Sequence, residues 1–205
     1  SVRDYCAVDP CLGTMEDFDA FVAEAHRLGM KVLLDWIANH TARDARWVTE
    51  KPASWYERDA SGAPAVPWDW TDTAKLNYAE REVWRAQGDA MEFWVREHGV
   101  DGFRCDMAML VPIEFWNETA QRLRRVKPDL FMLAEAEETY LFDGGAFDAC
   151  YAWEMHHLMN DVAQQRVRVT SLRDYIYADR RRYPRSAMRL AFTSNHDENS
   201  WNGSE

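Results

Sequence analysis

The sequence has no apolar run long enough to cross a bilayer, no excess of basic residues, no paired-cysteine spacing and no signal-like segment at its start. A membrane-spanning helix needs about 20 consecutive apolar residues, so the expectation is a soluble protein with no membrane partner. Binding nucleic acid requires a basic footprint that displaces counterions from phosphates, and a net charge of −11 disfavours such a partner. A neutral ligand is easier to accept. The four cysteines, Cys6, Cys11, Cys105 and Cys150, read as unpaired thiols. Unpaired thiols favour a reducing compartment, and the expected location is the cytoplasm.

Aromatic residues are abundant: ten Trp, eight Tyr and nine Phe. Flat rings stack on the apolar faces of sugars, but they also fill cores, which is the commoner role. At 205 residues the chain can form one domain with a sizeable core, or part of a larger one.

Along the chain, apolar periodicity alternates between helix and strand. Thr14, followed three residues on by Asp17, is a capping-box start for a helix carrying Phe18, Phe21, Val22, Ala25 and Leu28, closed by Gly29. Residues 31–35 are apolar on both faces, as a buried parallel strand should be, and end in Asp35. A second amphipathic helix over 80–98 leads through Gly99 into a strand over 100–106, and a third helix over 112–127 leads into a strand over 130–135. A weaker strand within 147–153, helices near 154–163 and 171–183, and a strand over 189–193 complete the pattern. Helix followed by buried strand is the signature of an α/β fold. Between residues 41 and 78 the pattern dissolves into Trp, Pro, Asp and Gly. So many aromatic residues argue for a folded insertion rather than disorder. Its Trp55, Trp68 and Trp70 are candidates for sugar stacking, with core packing as the alternative for each.

The predicted strands end in Asp35, Asp106, Glu135 and, after a short extension, Asp197. Residues two apart in a strand share a face, so Arg104 projects with Asp106 and would hold that carboxylate ionised. Taken alone, this stretch is read equally well as a structural Arg/Asp pair. In a β/α barrel, however, the strand C-termini converge on one face, and the four acids would gather there with His40 and His196. Helix N-capping explains one or two such acids, but not the accompanying arginine and histidines. One carboxylate fixed by an arginine beside another with a raised pKa is an arrangement that cleaves glycosidic bonds. Metal binding fits less well, because an arginine in the centre repels a cation.

At these positions the sequence resembles glycoside hydrolase family 13, the α-amylase family. Asp-Trp-Ile-Ala-Asn-His at 35–40, Gly-Phe-Arg-Cys-Asp at 102–106, Leu-Ala-Glu-Ala at 133–136 and Phe-Thr-Ser-Asn-His-Asp at 192–197 are similar, in order and separation, to its four conserved regions. The resemblance implies a (β/α)8 TIM barrel, incomplete here: residues 1–40 and 79–205 supply about strands three to seven, with 41–78 inserted after the third. It also implies roles for matching residues. Asp106 would be the nucleophile, Glu135 the acid/base and Asp197 the transition-state stabiliser. Arg104 would orient Asp106, His40 and His196 would bind sugar in the cleavage subsite, and Asp35 would support them. The implied function is a retaining α-glycosidase acting on α-glucans or malto-oligosaccharides, with α-1,4 bonds the default. The alternatives are an α-glucan transferase, or a catalytically incompetent fragment or sugar-binding homologue on the same scaffold.

Three departures qualify the resemblance. Met109 and Leu110 replace the Lys-His pair that many members carry, which puts typical endo-amylase specificity in doubt. Lys75 replaces an aspartate that helps bind calcium in the family, although Asn39 matches another calcium ligand; an ammonium can take the cation's place, so no cofactor and no metal are expected. Lastly, the family's first two strands and its eighth have no counterpart, and the 205 residues are expected to be part of a longer chain.

Overall fold

The computed structural model describes residues 1–201. Helix α1 (Met15–Arg27) opens with the expected reciprocal cap. The Thr14 hydroxyl accepts the Asp17 N–H at 3.2 Å, and the Asp17 carboxylate accepts the Thr14 N–H at 2.8 Å. After Gly29, at φ 76°, the chain enters β1 (Leu33–Trp36) and then β2 (His40–Ala42). Helix α2 (Arg46–Glu50) and strand β3 (Thr73–Lys75) follow. The long α3 (Arg81–His98) ends at Gly99, whose φ of 69° takes the left-handed cap position that glycine occupies without strain. Then come β4 (Gly102–Cys105), α4 (Ile113–Val126), β5 (Phe131–Ala134), β6 (Ala149–Tyr151), α5 (Trp153–Ala163), α6 (Thr170–Arg182), β7 (Met188–Leu190) and α7 (His196–Trp201).

Five strands form one parallel sheet in the order β1-β4-β5-β6-β7, the arrangement expected of an incomplete β/α barrel. Alternation along each strand divides the sheet into two faces. Trp36, Phe103, Cys105, Met132 and Ala134 pack with Met91, Trp94 and Val95 of α3 and with Phe115, Trp116 and Leu123 of α4. Phe103 is fully buried in this layer, and its transfer from water contributes about 2 kcal/mol. The opposite face carries Asp35 and Arg104, directly paired across β1 and β4, with Leu133 next in the row. The β4 ladder is shorter than the stretch expected over 100–106. Asp101 and Asp106 stand just outside it, at opposite ends.

The insertion is folded. β2 and β3 form an antiparallel ribbon with His40 opposite Lys75, over a small core of Trp55, Tyr56, Ala74 and Leu76 shared with Val83 of α3. The Thr41 and Tyr56 hydroxyls lie 3.1 Å apart inside it. Among the described residues no helix is long and apolar enough to cross a membrane.

Candidate active site

Arg104 is the centre of the site. Its Nη1 donates to Asp35 Oδ1 and to Asp106 Oδ1, each at 2.8 Å, and its Nη2 lies 2.7 Å from Glu135 Oε1. Its Nε donates to the Tyr151 hydroxyl at 3.2 Å. Burial works against the guanidinium's charge, but the bonds to Tyr151 and Asp35 and the nearby carboxylates raise its pKa further, so it stays a cation. One cation faces three carboxylates, so the cluster gains from holding one of them protonated. That group is Glu135, which is 5% exposed. Burial pushes its pKa up to about 7, reinforced by the charge of Asp106 and opposed by the Met107 N–H and by Arg104.

Backbone bonds set the spacing. The Asp106 N–H donates to Trp36 O at 3.0 Å, and the Glu135 N–H donates to Cys105 O at 3.0 Å, so both acids are strung along the β1-β4-β5 ladder. Immediately after Asp106, Met107 adopts φ 43° and turns its N–H onto Glu135 Oε2 at 3.0 Å. A left-handed conformation is uncommon for such a side chain and costs roughly 1–2 kcal/mol. Met109 and Leu110 follow in a short 3-10 turn and are half-buried.

His40 is buried beside this cluster. Burial lowers its pKa while the charge of Asp106 opposes the shift. The loop that presents it is braced by two phenols: Tyr5 donates to Ile37 O at 2.6 Å and lies 3.0 Å from His40 O, and Tyr78 donates to Ala38 O at 2.8 Å.

The structure therefore joins Arg104, Asp35, Asp106 and Glu135 by direct contact and sets His40 next to them. It does not join His196 and Asp197 to them. These begin α7, 67% and 46% exposed, with His196 Nε2 3.4 Å from Asp197 Oδ2 and no hydrogen bond or ion pair to the Arg104 cluster among the described residues. The β7 ladder ends at Leu190, and the segment that follows is held instead through Phe192, stacked on His156. Met107, Tyr5, Tyr78 and Tyr151 were missed from sequence. Of these only Tyr151 carried a signal, standing at the end of a predicted strand as the acids do.

Of the three tryptophans that are candidates to stack on sugar, Trp55 is buried in the local core, Trp70 is half-buried and Trp68 is 60% exposed. Lys75 directs its ammonium to Glu57 Oε2 at 2.9 Å, with Asn39 buried nearby on the adjoining segment. A cation at this point of the ribbon does not suit a calcium ligand set.

The family described as alpha amylase, catalytic domain, matches residues 1–72 and 51–202. The chain is 32% identical over 162 residues to Alpha-amylase 3 of Dictyoglomus thermophilum, covering 65% of this chain and 32% of that protein. It is 37% identical over 136 residues to the alpha-1,4-glucan:maltose-1-phosphate maltosyltransferase of Arcanobacterium haemolyticum, covering 63% of this chain and 19% of that one. Among solved structures, an alpha-amylase from Lactobacillus plantarum superposes with a TM-score of 0.88 at 33% identity, covering 95% of this chain and 49% of its own. The chain thus spans about a third or less of these curated relatives and about half of the solved structure.

Proposed function

Because the chain belongs to the α-amylase catalytic-domain family, we propose that its strand-end acids form the cleavage centre of a retaining α-glycosidase acting on α-glucans or malto-oligosaccharides, with α-1,4 bonds the default. The observation that carries this reading is the single guanidinium shared by Asp106 and Glu135. Two carboxyl groups held that close suit double displacement, in which one attacks the anomeric carbon and the other protonates the leaving oxygen. Asp106, bonded to the arginine, attacks. Glu135, buried and protonated up to neutral pH, is the acid and then the base that activates water. Arg104 and Asp35 orient the nucleophile, and His40 bonds the sugar in the cleavage subsite. Asp197 and His196 contribute from the β7 side, gripping hydroxyls as charge develops. Replacing Asp106 with Asn in the full-length protein is expected to lower kcat by about four to six orders of magnitude. Near-normal turnover would refute the assignment.

A second reading is transfer of the glycosyl group to another sugar, supported by the likeness to the maltosyltransferase. The same intermediate serves both, so product analysis at high acceptor concentration separates them. Catalysis on either reading needs no metal: the Lys75 ammonium, paired with Glu57, puts a positive charge on the residue next to Leu76, whose N–H donates to Asn39 O, and metal analysis after dialysis is expected to find no stoichiometric calcium. Four free thiols, Cys6 and Cys11 exposed and Cys105 and Cys150 buried, support a cytoplasmic location. Fractionation of the native host tests it.

A further inference from the structure

The cleavage centre leaves one exposed aromatic feature of the insertion unexplained. Trp68 has 60% of its surface in solvent and a φ of 49°, a left-handed conformation that a bulky residue holds only at a cost. A tryptophan paying that cost to point outward is not filling a core. The loop that presents it is firmly tied. Pro67 is buried, the Trp70 N–H donates to Pro67 O at 3.2 Å, and Trp70 O accepts the Thr73 hydroxyl at 2.7 Å and the Thr73 N–H at 3.0 Å. The rings also form a continuous path. Trp68 meets Trp70 edge-on with centroids 4.8 Å apart, and Trp70 lies 5.4 Å from the ring of His40, which senses the charge of Asp106.

We infer that Trp68, backed by Trp70, is a stacking platform for a glucosyl ring of the substrate beyond the ring bound under His40. This rests on the α-glucan reading above and assigns it a specificity residue. The chemistry suits the ligand. A hexose presents an apolar C–H face that an exposed indole covers, and the platform adds no charge that a neutral glucan would have to desolvate. Because Trp68 lies farther from the cleavage centre than Trp70, its contribution is realised only by chains long enough to reach it.

The test is the full-length protein with Trp68→Ala and Trp68→Phe, assayed on linear α-1,4-linked gluco-oligosaccharides of increasing length. For Trp68→Ala the ratio of kcat/KM for long over short chains is expected to fall about five- to tenfold, carried by KM rather than kcat, with Trp68→Phe restoring most of it. An unchanged ratio, or a loss independent of chain length, overturns the platform. If the wild-type protein cleaves no α-glucan, the cleavage reading fails separately and binding decides. Quenching of tryptophan fluorescence by the same oligosaccharides, weakened in Trp68→Ala, supports the platform; equal affinity in both proteins rejects it.

Discussion

Asp101 and Asp106 flank β4 at opposite ends, and their surroundings suit opposite tasks. Asp101, at the sheet's other end, is buried and accepts the Val32 N–H at 2.8 Å, with His26 at 2.7 Å, Lys127 at 3.0 Å and Lys31 at 3.3 Å. Burial disfavours its charge, but these partners outweigh it and hold its pKa well below the usual carboxylate range. Asp101→Asn is expected to cost about 3 kcal/mol in urea denaturation while the folded protein keeps its kcat, the reverse of the Asp106→Asn result. Glu135 gives the pH dependence. In its proposed role as the acid it must carry a proton, so kcat/KM should decline as pH rises through about 7. Glu135→Gln should lower kcat by about 10² to 10⁴ and abolish that decline. Met107 contributes through its backbone: Gly or Asn, which tolerate the left-handed region, should preserve the pH profile. The β-branched Val should disturb the turn, weaken the N–H contact to Glu135 and move the alkaline limb upward.

At the scale of elements, β4 depends on having no side chain at Gly102. A Cβ there would lie 1.9 Å from the Phe131 carbonyl oxygen and 2.9 Å from Leu33 Cδ2, so β5 would have to move. Gly102→Ala is expected to lower stability by about 2 kcal/mol or more and to reduce kcat with it, because Glu135 is carried on the displaced strand; thermal melting and single-substrate kinetics check both. Helices and main strands were legible in the sequence because their signals are local: Thr14 with Asp17, Gly29 and Gly99 mark boundaries, and uniformly apolar runs mark buried parallel strands. Asp35, Arg104, Asp106 and Glu135 were legible for a similar reason, since period two and strand-end position define where they point. The internal arrangement of the insertion was not, because Tyr56 meeting Thr41 and Trp55 sharing a core with Val83 are contacts between distant residues. Nor were Tyr5 and Tyr78, whose hydroxyls bind main-chain carbonyls that every residue possesses.

Among the described residues, β1 and β7 are the two edges of the parallel sheet, and Met188 and Leu190 on β7 are 51% and 39% exposed. Unpaired strand edges with apolar side chains recruit further strands. Residues 1–205 produced alone are therefore expected to self-associate in size-exclusion chromatography, and Met188→Lys should shift them toward monomer. A monomer at every concentration would count against this. The same sheet has a consequence for how the protein can change. The amides of Asp106 and Glu135 are pinned to Trp36 and Cys105 carbonyls, so the gap between the two acids is inherited from strand spacing rather than from surrounding side chains. On the proposed cleavage reading the two acids ride on a fixed chassis, which leaves Met109, Leu110 and the insertion free to drift, and retargeting by selection or by a mutant library can begin there without rebuilding the chemistry.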